Sequence, residues 1–187
     1  MARIAVDRWD TWFAAGKGFA PITDKERAAL ADHLGPPAGR TVLDLGCGTG
    51  DLTRHLHTSG FKATGADLSA VAVKRAEEAT GPDGPSFVQW DADTQDPALL
   101  PRPHFQVIVC RLVWTFLTDL GRARLLTLLA PGGRLAVTTP VRERLTTRQS
   151  TGLPEADIAA LQSVLDAGRR TDLGVLALVS GRSPRGT

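Results

Sequence analysis

The segment "VLDLGCGTGD", residues 42–51, places three glycines directly after a short apolar run. Gly46, Gly48 and Gly50 follow a predicted strand and precede a predicted helix. At such a turn, glycine lets the backbone approach a ligand closely, and the helix amides offer hydrogen-bond donors. A tight turn with one positive φ angle would explain one glycine but not three. The segment therefore predicts a ligand-binding loop at the carboxyl end of the first strand of an α/β sheet.

The spacing of these glycines indicates the kind of ligand. A dinucleotide fingerprint has the pattern G-x-G-x-x-G, but here the third glycine comes one residue early and Asp51 takes the expected position. An acid beside a helix N-terminus suits the helix dipole but would repel a pyrophosphate. The loop therefore favours a nucleoside ligand without a diphosphate.

Two aspartates end the next two predicted strands. Asp67 ends "TGAD", where a carboxylate can accept hydrogen bonds from both hydroxyls of a ribose. Asp91, in "FVQWDAD", ends the third strand at the same edge of the sheet. Structural roles remain open for both, since Asp67 could cap the helix near Ser69 and Asp91 could be a turn aspartate.

Strand-like and helical segments alternate through the region that must hold these residues. The strands are predicted in "TVLDL", "FKATGAD", "PSFVQWD", "FQVIVC" and "RLAVTT". Residues 112–129 predict one long helix ended by "PGG", and a helix beginning after Thr23 carries a capping box with Glu26. The alternation predicts an α/β fold with a doubly wound, mostly parallel sheet and helices on both faces.

Length and composition limit the remaining possibilities. The chain has 187 residues, 42% of them hydrophobic, and a net charge of +2. We expect one domain with an N-terminal helical cap (1–39), a cofactor-binding core (40–140) and a C-terminal helix with final strands (141–187). Basic residues are interspersed with acids, so no nucleic-acid partner is indicated. Two cysteines and no apolar leader or span suggest a cytoplasmic protein without a membrane partner.

In order along residues 40–140, the segments "VLDLGCGTG", "TGADLS", "WDAD", "FQVIVCRLVWTFL" and "LLAPGGRLAVTTP" resemble the class I S-adenosylmethionine-dependent methyltransferases. The resemblance implies a Rossmann-like sheet of about seven strands whose last strand is antiparallel, for which "VLALVS" is a candidate. It also implies S-adenosyl-L-methionine as the cofactor and S-adenosyl-L-homocysteine as its product.

The same resemblance implies roles for individual residues. Asp44 would hold the methionine amino group, Asp67 the ribose hydroxyls and Asp91 the adenine amino group. The full set of implied cofactor contacts is Asp44, Gly46, Cys47, Gly48, Gly50, Asp67, Leu68, Asp91, Ala92, Cys110 and Arg111. Since the cofactor carries a positive sulfonium and a positive amino group, an acid beside the glycine loop is attractive here.

Methyl transfer depends mainly on alignment and the exclusion of water, so a base is optional. We name no catalytic residue, because the four histidines are expected in solvated or capping positions. No cluster of carboxylates with histidine suggests a metal. After the fourth strand, "CRLVW" replaces the Asp/Asn-Pro-Pro-aromatic motif of relatives that methylate nucleic-acid amines, so we expect a small-molecule acceptor at O, N or C.

Elements outside the common core should enclose that acceptor. The candidates are Trp9, Trp12, Lys17, Phe19 and Trp114, although ordinary packing of an N-terminal helix is an equal alternative for the first four. Arg142, Arg144 and Arg148 could attract an acidic acceptor, but a solvated loop fits them better. The chain is short for the family, so we expect either an open pocket or one completed by a second subunit in a homodimer.

Two other functions remain open at this stage. A protein could bind S-adenosylmethionine without methyl transfer, in a regulatory or structural role or as a repurposed catalyst such as a cyclase, because fold and cofactor site would be shared. A nicotinamide oxidoreductase is disfavoured by the early third glycine.

Overall fold

A computed structural model describes residues 4–146 and 151–183, which form one seven-stranded sheet with flanking helices. The helices are α1 (Val6–Ala14), α2 (Asp24–Leu34), α3 (Asp51–Thr58), α4 (Ala70–Glu78), α5 (Asp119–Thr127) and α6 (Glu155–Val164). The strands are β1 (Thr41–Leu45), β2 (Lys62–Asp67), β3 (Ser86–Gln89), β4 (Phe105–Arg111), β5 (Leu129–Pro140), β6 (Asp166–Leu173) and β7 (Leu176–Arg182).

The strand order is β3-β2-β1-β4-β5-β7-β6. Strands β1 to β5 are parallel, and β7 runs antiparallel between β5 and β6. The predicted Rossmann-like fold with an antiparallel last strand is confirmed. The order reverses between β1 and β4, and in open α/β sheets ligands bind at the carboxyl ends of strands at such a reversal.

Helix α2 begins and ends where the sequence predicts, but its capping box is only half formed. The Thr23 hydroxyl accepts the Glu26 amide at 3.2 Å, and Gly35 follows the last turn with a φ of 71°. The Glu26 carboxylate accepts instead from the guanidinium of Arg111 on β4, at 2.7 and 3.1 Å. A charged partner within reach therefore takes the carboxylate that a capping box would use.

The prediction of one helix over residues 112–129 is wrong. Leu112 has a φ of 60°, a 3₁₀ turn covers Trp114–Phe116, and the Thr118 hydroxyl caps a separate helix, α5, by accepting the Gly121 amide. The "PGG" segment belongs to β5. The positive φ at the end of β4 and the internal cap prevent continuous helical hydrogen bonding.

Strand β6 has no clear sequence signal. Its sequence, "DAGRRTDL", is polar, and its residues are only partly buried because it is the edge strand and pairs with β7 alone. Edge strands with one unpaired side tolerate charged residues, which weakens their hydrophobic pattern.

The sequence predicts a solvated or capping position for His33, and this is wrong. His33 lies on the buried face of α2, with Nδ1 2.9 Å from the Ser180 hydroxyl and Nε2 2.8 Å from the Thr171 hydroxyl. Burial lowers the pKa of His33, and the positive charge of Arg169 adds to this effect. The side chain therefore joins α2 to β6 and β7 as a neutral structural group.

None of the helices described is both long enough and apolar enough to cross a membrane.

Candidate functional site

The glycine loop between β1 and α3 has the conformation that requires glycine. Gly46, Gly48 and Gly50 have φ angles of +69°, +54° and +85°. A Cβ on Gly46 would lie 2.8 Å from the Cβ of Val113, and one on Gly50 would lie 2.7 Å from the ring of Phe87. Positive φ and lack of space both exclude larger residues at these two positions.

Two cavities adjoin at the carboxyl ends of β1 and β4. Counting the space open to solvent, they enclose about 700 and 530 Å³. Phe13, Phe19, Gly46 and Arg111 line both cavities, so the two volumes meet at these side chains. An elongated ligand could therefore occupy both.

The first cavity contains Asp67 and Asp91, the predicted ribose and adenine contacts, together with the predicted cofactor contacts Leu68 and Ala92. Apolar and aromatic side chains form most of the remaining wall, with Asp93 as a further acid. Such a pocket suits a flat, apolar ring with a few polar groups at its edge.

Asp67 fixes the shape of the loop as well as facing the cavity. Its two carboxylate oxygens accept the amides of Gly48 and Ser69, each at 2.9 Å. Burial raises the pKa of Asp67, and these hydrogen bonds oppose that effect. Asp67 therefore joins β2 to the glycine loop and to the start of α4, and the same side chain lines the first cavity.

Asp91 has the geometry of a turn aspartate, which is the structural alternative to a ligand contact. Its oxygens accept the Asp93 amide at 3.0 Å and the Thr94 hydroxyl at 2.7 Å, while the side chain still borders the first cavity.

The second cavity contains Asp44, predicted to hold the methionine amino group, together with the predicted cofactor contacts Cys47 and Gly48. Asp44 is 1% exposed, and the Thr53 hydroxyl donates to it at 2.6 Å. Within the described part of the chain it forms no ion pair. Burial raises the pKa of Asp44 to about 7, although the hydrogen bond from Thr53 opposes the shift. A cationic amino group in this cavity would supply the charge that the buried carboxylate lacks.

This shift predicts a pH-dependent affinity. Below about pH 7 the Asp44 carboxyl carries a proton, which a cationic amino group must displace on binding. We therefore expect the affinity for S-adenosylhomocysteine, which retains that group, to fall by up to about tenfold per pH unit below 7 and to level off above it. Calorimetric titration between pH 5.5 and 8.5 measures the profile. Asp44→Asn should bind more weakly at pH 8 and lose the step near pH 7.

Asp44 also affects the stability of the free protein. Because its pKa of about 7 in the folded state lies above the ordinary value of 3.8, the folded state binds more protons between the two values. The contribution of Asp44 to the free energy of unfolding should therefore fall as pH rises from about 4 to about 7.

Asp51→Asn, which removes an exposed carboxylate from the same cavity, is the matched control for the affinity measurement and should keep the affinity step near pH 7. A step that survives in Asp44→Asn contradicts the assignment.

Arg111 is the one basic residue lining the two cavities described above. Its guanidinium is paired with the Glu26 carboxylate, whose side chain is only 3% exposed. Sequence reasoning assigned Glu26 to a cap, and no local signal indicates its partner 85 residues away. The remaining charged residues of both walls are acids, so the cavities favour a cationic ligand.

The N-terminal segment covers the junction of the cavities with aromatic rings. Trp9 lies 5.3 Å from Phe116 in an edge-on arrangement and 5.8 Å from Phe19, measured between ring centroids. Phe13 is buried between Trp9 and Gly48. Phe116 was missed because the sequence placed it within a helix.

Polar contacts fix α1 over α4. The Ser69 hydroxyl donates to Asp10 at 2.5 Å, and the Arg75 guanidinium donates to the Phe13 carbonyl at 2.6 Å. Sequence reasoning gave neither contact, because both join residues about 60 positions apart.

Five predicted site residues do not line either of these cavities. Gly50 is the N-cap of α3. Cys110 is fully buried in the core, and Trp114 packs there against Arg122. Trp12 is 38% exposed, and the ammonium group of Lys17, the fifth of these residues, lies 5.0 Å from the centroid of its ring. Cys110, predicted as a cofactor contact, and Trp114, predicted as an acceptor contact, instead turn their side chains into the core.

The basic segment after β5 is engaged in structural contacts. Arg142 donates to the Gly152 carbonyl, and Arg144 pairs with Asp172 at 3.0 Å. Arg148 lies outside the described residues.

Comparison with known proteins agrees with this geometry. The family described as "Methyltransferase domain" matches residues 20–172. The chain therefore belongs to the S-adenosylmethionine-dependent methyltransferases, with the class I fold and S-adenosylmethionine as the family's cofactor.

Two curated relatives illustrate the range of the family. The chain is 31% identical to the ribosomal protein L11 methyltransferase of Thermus thermophilus, over 73% of this chain and 56% of that protein. It is 30% identical to a ubiquinone biosynthesis O-methyltransferase of Albidiferax ferrireducens, over 67% of this chain and 51% of that protein. The chain thus spans about half the length of these relatives.

Solved structures show the same fold at low identity. An S-adenosylmethionine-dependent methyltransferase from Mesorhizobium loti has a TM-score of 0.68 at 18% identity, covering 87% of this chain and all of that one. Magnesium protoporphyrin IX methyltransferase from Synechocystis, solved with bound S-adenosylmethionine, has a TM-score of 0.60 at 18% identity, covering 94% and 89%.

Proposed function

We propose that this chain transfers a methyl group from S-adenosylmethionine to O, N or C of a small-molecule acceptor. The observation that carries the proposal is the junction of the two cavities under aromatic side chains at the carboxyl ends of β1 and β4. Asp67, Leu68, Asp91 and Ala92 line the first cavity and Asp44, Cys47 and Gly48 the second, which supports adenosine in the first and the methionine part in the second.

The residues present fit this cofactor. The glycine loop offers its backbone where a Cβ on Gly46 would be blocked, and Asp44 is a buried acid that forms no ion pair within the described residues. When bound, the cofactor supplies a methyl group already activated on a positive sulfonium. We propose that Asp44 and Gly48 hold its methionine part and that Asp67 and Asp91 hold its adenosine part.

The remaining work of the chain is alignment. Trp9, Phe19 and Phe116 would exclude water from the junction, and Glu26 fixes the guanidinium of Arg111 at its edge. Neither cavity wall contains a histidine, and we assign no base. Positioning a nucleophile against an activated carbon can provide most of the acceleration.

A small acceptor is supported by the enclosure of the junction. A ribosomal protein or an RNA loop would have to displace the aromatic rings, whereas a planar apolar molecule could pack against them. We further propose that the chain acts as one domain, and that a second copy could complete the pocket where the N-terminal segment leaves it open.

The test separates cofactor binding from acceptor choice. We expect S-adenosylhomocysteine to raise the melting temperature, and a small phenol, amine or carboxylic acid that fits the pocket to raise it further only when S-adenosylhomocysteine is present. Molecules found in this way are then incubated with S-adenosylmethionine, and S-adenosylhomocysteine formation is followed by mass spectrometry, with heat-inactivated protein as the control.

Three results would contradict parts of the proposal. If neither form of the cofactor binds, the whole proposal fails. If the cofactor binds and acceptors bind, but no S-adenosylhomocysteine forms, the protein binds the cofactor without methyl transfer. If transfer occurs only to ribosomal protein or RNA, the reaction stands and the small-molecule acceptor is wrong.

A further inference from the structure

Four arginines lie together at the base of the sheet, away from the cofactor cavities. This arginine cluster consists of Arg40, Arg134, Arg169 and Arg182. Arg134 on β5 pairs in register with Val107, four residues before Arg111 on β4. At about 3.3 Å per residue, the cluster is thus about 13 Å from the end of β4 along the strands.

The register brings three members onto one face. Arg134 is directly opposite Arg182 on the antiparallel strand β7, and Arg169 on β6 pairs with Ser180, two residues before Arg182. Side chains two residues apart share a face of a sheet. Ser180 contacts His33, so this is the face covered by α2.

Only part of the positive charge of the cluster is compensated. Arg169 pairs with Asp32 at 2.6 Å, and Arg40 donates to the carbonyl groups that end α2, including that of Leu34 at 2.7 Å. Arg134 and Arg182 have no ion pair within residues 4–146 and 151–183. Asp166, opposite Arg182 in the register, forms none with it.

Arg134 carries the clearest sign of a missing partner. Its Nη1 is shielded from solvent and has no hydrogen-bond partner in the described part of the protein. Burial lowers the pKa of Arg134, and the charges of Arg182, Arg169 and Arg40 lower it further. Like charges directly opposite each other on paired strands destabilise a sheet, and so does a buried polar group without a partner.

A ligand with two negative charges would remove both penalties. Two guanidinium groups lack a counter-charge here, and the planar donors of arginine match the oxygens of phosphate and related groups. Arg182 is exposed at the last position of β7, so solvent can reach the cluster at that end of the strand. His33 is neutral and adds no charge to this balance.

We propose that Arg134 and Arg182 form an oxyanion site at the base of the sheet that takes phosphate or the phosphoryl group of a small molecule. The site is separate from methyl transfer and does not depend on it.

The test compares anions at constant ionic strength and pH 7.5. Inorganic phosphate and phenyl phosphate should each raise the melting temperature in a saturable way, beyond the effect of chloride. Arg134→Gln combined with Arg182→Gln should weaken the binding of both by about tenfold or more. The exposed Arg102 lies outside the cluster, and Arg102→Gln is the matched control, expected to respond like the natural protein.

A second readout separates a binding site from a structural arginine. Without phosphate, Arg134→Gln should melt at the same temperature as the natural protein or higher, since it removes like-charge repulsion. Arg182→Gln, on an exposed residue, provides the binding test if the other variants fail to fold. Affinity for S-adenosylhomocysteine should be unchanged in every variant, which separates this proposal from the cofactor site.

The outcomes decide the proposal. Stronger binding of phenyl phosphate supports an organic phosphoryl ligand, and equal binding supports free phosphate. A response no larger than that to chloride, or one that survives in the double variant, overturns the site. Binding of a short RNA without any response to either phosphate overturns it in favour of a nucleic-acid surface.

Discussion

Gly46→Ala should weaken S-adenosylhomocysteine binding by about 100-fold or more, equivalent to about 2.7 kcal/mol. The new Cβ would lie 2.8 Å from the Cβ of Val113, which is too short for a contact, so either the loop or Val113 must move into the junction of the cavities. The positive φ of 69° adds a strain of about 1–2 kcal/mol in the folded state. Calorimetric titration, well below the melting temperature, measures the binding loss.

Gly132→Ala is the matched control for backbone strain. Gly132 has a φ of 71°, but a Cβ there would meet nothing within 4 Å. The two variants should therefore lose similar stability from the φ angle, while only Gly46→Ala loses the ligand. Normal binding by folded Gly46→Ala would show that the ligand does not use this loop.

Asp67→Ala should weaken cofactor binding by about 1–3 kcal/mol, or roughly 5- to 150-fold. The change removes the acceptor proposed for the ribose hydroxyls, and it also leaves the amides of Gly48 and Ser69 without their partner. The variant should therefore melt at a lower temperature than the natural protein. S-adenosylhomocysteine should also raise the melting temperature of the variant by less than it raises that of the natural protein. Titration together with thermal unfolding separates the two effects.

Asp96→Ala provides the comparison for Asp67→Ala. Asp96 also accepts a backbone amide, that of Ala98 at 2.8 Å, but it lines neither of the two cavities at the carboxyl ends of β1 and β4. Asp96→Ala should lose some stability and keep its affinity for S-adenosylhomocysteine. Unchanged affinity in Asp67→Ala would remove Asp67 from the site and leave it with a purely structural role.

The sequence was informative where function depends on neighbours in the chain. The alternation of strands and helices, the early third glycine, Asp67 at the end of β2 and Asp91 just after β3 are all local patterns. They predicted the sheet and the edge of it at which the two cavities lie. Parallel strands have their carboxyl ends at one edge of the sheet, so the sequence alone predicts that residues at the strand ends lie close together.

Local patterns failed where distant parts of the chain compete for the same residues. Glu26 fits a capping box, yet Arg111 takes its carboxylate, and residues 112–129 look helical, yet a positive φ at Leu112 interrupts them. Strand β6 is polar because it is an edge, so its position became evident only from its pairing with β7.

The sequence by itself therefore determined the family and placed the glycine loop and the acids around it at one edge of the sheet, because spacing along one strand-loop-helix unit fixes their relative positions. Only the tertiary structure decided which aromatic side chains cover the junction, that Cys110 and Trp114 turn into the core, and that Arg134 and Arg182 face each other. Those contacts join residues dozens of positions apart, and their energies depend on burial and on charges that no local pattern contains.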